Sequence, residues 1–199
     1  MIKGVVFDNG GVFISGDRLV SENMCKVFNI SMQRLSDILV QILPDFQRGK
    51  ISHEEFWQRF HQVSGLKLPS NYLDLWTTDF HKESHVSDDM LNLIAELKQK
   101  KVPIIMHSNT IPPHAEFMWR VGVFKEFDIV FNSCDMKERK PDPAFYDKLF
   151  AKVKAKPEEL IYIEDNPQFM EYQRQIGLQL IPFKSVPQLR QELKKYGVL

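Results

Sequence analysis

Disulfides, membrane spans and an excess charge of either sign are all missing from this chain. Two cysteines in 199 residues, Cys25 and Cys134, are too few for a disulfide framework and stand in no metal-type cluster. They read as free thiols in a reducing compartment. No apolar run approaches the roughly 20 residues that span a bilayer. The opening residues 1–7 begin like a signal peptide, but Asp8 and Asn9 arrive before an apolar stretch can form. A cytoplasmic protein with no membrane partner is expected. Basic and acidic residues number 26 each. The first hundred residues hold 11 basic and 13 acidic groups, so no half carries the basic face that nucleic acid requires. Internal repeats and low-complexity tracts are lacking too. What remains is 43% hydrophobic with 23 aromatic residues, which excludes disorder and supplies one packed core with room for a small second one.

Short β-rich runs stand out at Gly4–Phe7, Val102–Met106, Asp128–Phe131, Leu160–Ile163 and Leu178–Ile181. Helical patterns separate them at Asp88–Lys100, Pro113–Trp119, Pro143–Val153, Phe169–Ile176 and Val186–Lys195. Buried strands alternating with helices predict an α/β fold, a Rossmann-like three-layer core with a parallel sheet. The segment 17–84 differs. Ser21–Phe28, Ser31–Leu43, His53–Val63 and Asn71–Phe80 read as helices with no strand between them, and Ser52 with Glu55 forms a capping-box pattern. The predicted organisation is a core of residues 1–16 and 85–199 with a small all-helical cap, 17–84, inserted after the first strand. Gly16–Arg18 and His81–Ser87 are the expected hinges.

In a parallel sheet, ligands bind outside the carboxyl ends of the strands. The first run ends in Asp8-Asn9-Gly10-Gly11 and the second is followed by His107-Ser108-Asn109-Thr110. Lys140-Pro141 follows the third, and Glu164-Asp165-Asn166 closes the fourth. Each has an ordinary reading alone: a turn, a helix cap, a rigid loop, an acid pair at a helix start. Their conjunction at one sheet edge points to a site.

These four segments resemble, in order, the four motifs of the haloacid dehalogenase (HAD) superfamily. Arg48-Gly49-Lys50-Ile51-Ser52, His114 after Ser108-Asn109-Thr110, and Arg139-Lys140-Pro141 are similar to the glucose-1-phosphatase and epoxide hydrolase N-terminal phosphatase subgroup. The resemblance implies a Mg²⁺-dependent phosphomonoesterase acting on a small phosphorylated metabolite, a sugar phosphate among the candidates, as a monomer or homodimer. It implies Asp8 as nucleophile and Lys140 as the charge that neutralises nucleophile and phosphate. Gly10, Ser108, Asn109 and Lys140 would bind substrate, with the amides after Ser108 holding phosphate. Asp8, Asp165 and the Gly10 carbonyl would ligate the metal, with Glu164 bound directly or one layer out. Positive φ is expected at Gly10 and Gly11.

One departure stands out. The family's second aspartate, two residues after the nucleophile, is Gly10 here. His107 reads as a hydrogen-bonded core residue, and His114 is the better-placed substitute acid. Phe46, Arg48 and Lys50 fall in a loop between two cap helices that could face the site, where the charges read as a solvated, helix-linking pair rather than a substrate contact, while Phe56, Trp57, Phe60, Tyr72, Trp76 and Phe80 read as packed faces. Two alternatives stay open: a haloacid dehalogenase, which also lacks the second aspartate, and a regulatory protein that binds phosphate without turning it over.

Overall fold

The computed structural model describes residues 1–14 and 17–199; the side chains at 17, 18, 79 and 83 lie outside that description. Five strands, β1 (Gly4–Phe7), β2 (Ile104–Ser108), β3 (Ile129–Asn132), β4 (Leu160–Glu164) and β5 (Gln179–Pro182), form one parallel sheet in the order β3-β2-β1-β4-β5. Alternation along the strands sends Val5, Phe7, Ile104, Met106, Ile161 and Ile163 to one face, where α5 (Asp88–Gln99), α6 (Pro112–Arg120) and α10 (Val186–Lys195) cover them. Val6, Ile105 and Tyr162 face the other way, under α8 (Pro143–Val153), which follows the short α7 (Ser133–Met136), and α9 (Pro167–Gln175). The expected three-layer α/β core is therefore present. Both neighbours of β1 come from later chain, so strand order reverses there. A crevice opens at its carboxyl end.

β2 starts two residues later than the apolar run suggested, after Pro103, and continues to Ser108. His107 and Ser108 thus belong to the ladder, opposite Phe131 and Asn132. The register of Phe7 with Met106 and with Ile163 brings Asp8, Ser108 and Glu164 to the same edge.

The insertion contains α1 (Asp17–Phe28), α2 (Met32–Gln47), α3 (His53–Ser64) and α4 (Asp74–Glu83). Its own core joins Met24, Leu35, Ile38, Ile42, Phe46, Phe56, Trp57 and Phe60. Val20 and Phe80 pack instead with the sheet side. Ser52 caps α3 through the Glu55 amide, but the Glu55 carboxylate pairs with Arg59 at 2.8 Å, so only half of the capping box forms. α2 runs past Pro44, where a stop was expected. Phe46, fully buried against Phe56 with ring centroids 4.7 Å apart, holds that last turn in place. Of the expected hinges, Gly16 and the side chains of Asp17 and Arg18 lie outside the described residues, and His81–Glu83 is the helical end of α4 rather than a linker.

The loop after α2 docks on the core. Arg48 is not solvated as expected: its Nε donates to Asp142 Oδ2 at 3.1 Å, its Nη2 donates to the same oxygen, and the pair is mostly buried. Arg139 Nε donates to Gln47 Oε1 at 2.9 Å, Ser133 Oγ donates to the Gln47 carbonyl at 2.6 Å, and Lys137 Nζ donates to the Gly49 carbonyl at 3.0 Å. Gly49 has φ +58°, and a Cβ there would lie 2.5 Å from the Cys134 carbonyl oxygen. A charge-assisted pair of this burial contributes about 1.5–3 kcal/mol. Arg48→Ala should lower the urea unfolding free energy by that amount, and a change under about 0.5 kcal/mol would show that the loop is not anchored by this pair.

Candidate active site

Asp8 continues β1, and its amide donates to the Ile163 carbonyl of β4 at 3.0 Å, which fixes the strand end. From the loop ahead of α8, Lys140 Nζ lies 2.8 Å from Asp8 Oδ1 and 2.8 Å from Glu164 Oε2. Its ammonium is fully buried. Asn109 holds the backbone of Lys140 on both sides: its Oδ1 accepts from the Lys140 amide at 2.7 Å and its Nδ2 donates to the Lys140 carbonyl at 3.0 Å. The side chain expected to touch substrate is therefore engaged in placing the lysine. Ser133 Oγ accepts from the Thr110 amide at 2.9 Å, so that amide, one of those expected to hold phosphate, is already committed. Ser108 stays at the wall of a cavity of about 800 Å³, together with Asp8, Gly10, Gly11, Asn109 and Asp165.

Glu164 is fully buried, with Oε2 accepting from Lys140 and Gln173 and Oε1 accepting from the Asn166 amide. Burial opposes its charge, yet Lys140 and these donors outweigh it and hold the carboxyl below its ordinary range. Asp8 moves the other way. Burial, with Glu164 nearby, pushes it up to about 8 against the pull of Lys140. Asp165 is raised too, by burial and by Glu164. Burial opposes the charge of Lys140 as well, but the two carboxylates that grip it raise its pKa, and it stays an ammonium.

Three carboxylates, on Asp8, Glu164 and Asp165, offer oxygens within 4.8 Å of one another, against one ammonium. Fully ionised, the cluster carries two negative charges more than the lysine neutralises, the charge of one divalent cation, and without such a cation burial and mutual repulsion push Asp8 and Asp165 toward the protonated form. The donor set is all oxygen, the kind a hard ion such as Mg²⁺ takes. Gly11, at φ +75°, leaves the space: a Cβ there would sit 2.0 Å from Asp165 Oδ2. The residues fit a divalent cation. The left-handed conformation falls on Gly11, and Gly10 is not among the described residues that adopt it.

A family profile described as haloacid dehalogenase-like hydrolase matches residues 2–168, most of the chain and all four strand-end segments. The chain belongs to the haloacid dehalogenase-like hydrolases. It is 26% identical to bifunctional epoxide hydrolase 2 of Sus scrofa over 148 residues, 71% of this chain, and spans only about a quarter of that relative's length (27%). It is also 26% identical to sesquiterpene phosphatase astK of Aspergillus oryzae over 173 residues, 82% of this chain and 80% of the relative. Among solved structures, a HAD family enzyme from Bacteroides thetaiotaomicron in complex with magnesium and inorganic phosphate superposes with a TM-score of 0.76 at 23% identity, covering 92% of this chain and 95% of that one. The L-2-haloacid dehalogenase of Xanthobacter autotrophicus, with chloropropionic acid covalently bound, gives 0.67 at 17% identity over 100% and 85%. At such identities the structural likeness shows the shared fold.

In this hydrolase neither histidine is a ready acid. His107 faces away from the cavity, fully buried, with Nδ1 2.7 Å from the Tyr162 hydroxyl and Nε2 3.4 Å from the Phe145 carbonyl. Burial and the nearby Lys140 drive its pKa well down. His114 does line the cavity, stacked on Phe80 with centroids 3.6 Å apart and bonded to the Trp76 backbone, but burial pushes it down to about 3. Trp76 and Phe80, read as packing residues, line the cavity as well. Sequence reasoning missed Gln173, whose buried amide supports Glu164 at 3.1 Å from the middle of α9. It also missed Ser133. A glutamine inside a helix carries no local signal. Ser133 lies next to the strand end, where a hydroxyl is a weak hint.

Gly11→Ala should weaken divalent-cation binding at least tenfold, because the new methyl displaces Asp165. Adding Mg²⁺ raises the melting temperature of the wild type by mass action; an equal rise in the variant would contradict the assignment. A second expectation concerns acid. His107 and His114 are neutral when folded and titrate near 6.5 when unfolded, so the unfolded state takes up protons first. Their contribution to stability is therefore complete above about pH 6.5 and falls as pH drops, by about 1.4 kcal/mol per pH unit for each histidine and for His114 down to about pH 3, while the raised carboxyls of Asp8 and Asp165 act with the opposite sign. His114→Phe should flatten that slope in urea melts, and an unchanged slope would contradict it.

Proposed function

We propose that this hydrolase is a Mg²⁺-dependent phosphomonoesterase that works through a covalent aspartyl-phosphate on Asp8. The observation that carries the reading is the charge left at the sheet edge: three carboxylates around one lysine, in a cavity with a hydroxyl at its wall. The sesquiterpene phosphatase relative and the structural neighbour holding magnesium and phosphate support it. Asp8, Asp165 and the Gly10 carbonyl hold the ion, which supplies positive charge toward the phosphoryl oxygens. Glu164, occupied on both oxygens, acts through Lys140 as a positioning residue.

Lys140 fixes the rotation of the Asp8 carboxylate by holding Oδ1. A carboxylate oxygen of Asp8 attacks phosphorus, the bond to the ester oxygen breaks, and that oxygen leaves with the electron pair. Ser108 and Lys140 accept the charge on the transferring group. Water then attacks the phosphorus, the bond to Asp8 breaks, and inorganic phosphate departs. With Gly10 in place of an acid and both histidines neutral, the departing oxygen takes its proton from solvent. The dehalogenase alternative, halide displacement by Asp8, leaves the acidic cluster without a role.

The test is p-nitrophenyl phosphate hydrolysis. It should require Mg²⁺ and fall more than about a thousandfold in Asp8→Asn. Among aryl phosphates, kcat should decline steeply as the leaving phenol becomes more basic. Halide release from 2-chloropropionate in EDTA, or phosphate binding with no hydrolysis, would overturn the reading.

A further inference from the structure

α2 carries two apolar stripes, and the fold uses one. Leu35, Ile38, Ile42 and Phe46 enter the core of the insertion. On an adjacent face, Met32, Leu39, Val40 and Leu43 follow the helical repeat toward Gln47 and remain partly or largely exposed, Val40 at 69%. These residues wall a cavity of about 560 Å³, whose opposite side is Arg139, Pro141 and Phe169 from the core. This second cavity adjoins the first. Leu43, Gln47, Arg139 and Phe169 line both. The stripe from Gln47 to Met32 is about 22 Å long at the rise of an α-helix. Arg139 stands at the junction, half-buried, with its Nε given to Gln47.

We propose that this groove takes the apolar tail of a phosphomonoester whose head group lies at Asp8, so that the substrate is a long-chain aliphatic phosphate rather than a sugar phosphate. The proposal rests on the phosphomonoesterase reading and deepens it. The groove adjoins the phosphate site, and its polar side chains Ser21, Gln47, Arg139 and Gln168 gather at the end the two cavities share, which leaves Ser36 as the polar residue along the apolar remainder of its lining. Positive charge is confined to the junction, where the ester meets the tail. Leu39 and Leu43 pack partly against the insertion's core while Met32 and Val40 stay exposed; an apolar face left partly open is the pattern of a surface that something covers, and a tail leaving the cavity at Asp8 meets it at the shared residues.

The experiment compares kcat/KM with Mg²⁺ for a series of n-alkyl phosphates from butyl to decyl, kept below micelle concentrations, with a prenyl phosphate and glucose 1-phosphate alongside. The alkoxide is equally basic across the alkyl series, so chain length is isolated. Each methylene seated in the groove should raise kcat/KM about two- to fourfold, at least about fiftyfold over the series. Val40→Asp should cut the decyl-to-butyl ratio at least tenfold, while Val63→Asp, on α3 outside the groove, should leave that ratio unchanged. A flat series, or glucose 1-phosphate preferred over decyl phosphate, overturns the proposal. A flat series with a dimer that Val40→Asp dissociates assigns the stripe to a second copy of the chain instead. If p-nitrophenyl phosphate and every ester resist hydrolysis, the catalytic reading fails by itself. The groove is then judged by calorimetric affinity for the same alkyl phosphates, which must rise with chain length for the proposal to stand.

Discussion

One ammonium group, Lys140 Nζ, ties two strands of the sheet together and gives the cavity its chemistry. It is buried and lies 2.8 Å from carboxylates at the ends of β1 and β4. Burying such charges costs several kcal/mol per ion unless the geometry is good and the remaining lone pairs are satisfied. Here the satisfaction is visible: Gln173 and the Asn166 amide complete Glu164, and Asn109 grips the lysine backbone from the end of β2. Asp8 is the member left with capacity to spare. It faces the cavity, and burial makes its carboxylate seek a further positive charge. An excess of carboxylate charge of this kind suits a divalent cation.

The helical insertion stands over this edge through particular contacts rather than as a loose lid. Arg48 with Asp142, Gln47 with Arg139 and Ser133, and the Gly49 carbonyl with Lys137 bind the end of α2 to the loop that carries Lys140. The cavity wall contributed by α2 is therefore held in register with Lys140. Trp76 and Phe80 on α4 close the opposite side, where Phe80 stacks on His114. The cavity lies between these two helices. The chemistry is set by the sheet below.

Much of this was legible in the residues because strand ends punctuate a parallel sheet. Asp8, Ser108, Lys140 and Asp165 each follow an apolar run, and periodicity alone placed them at one edge. Family resemblance supplied the roles. Less visible were features that depend on sequence-distant partners. Asn109 reads as a ligand to substrate until Lys140, 31 residues on, takes both ends of its amide. Arg48 reads as solvated until Asp142, 94 residues away, pairs with it. Pro44 argues for a helix end, but the burial of Phe46 outweighs the lost hydrogen bond. The second stripe on α2 was written in the sequence as well, yet a single helix gives no way to tell which apolar face is covered.

The account stands on Asp8 acting as a nucleophile, so its most direct test is to look for the phosphoryl group on that side chain. The enzyme is mixed with a phosphomonoester and Mg²⁺, quenched in acid during turnover, digested and examined by mass spectrometry. The account predicts one phosphoryl group on the peptide containing Asp8, absent when EDTA replaces Mg²⁺. Steady hydrolysis in wild-type enzyme, with chemistry faster than breakdown of the intermediate and no label on Asp8, would contradict it.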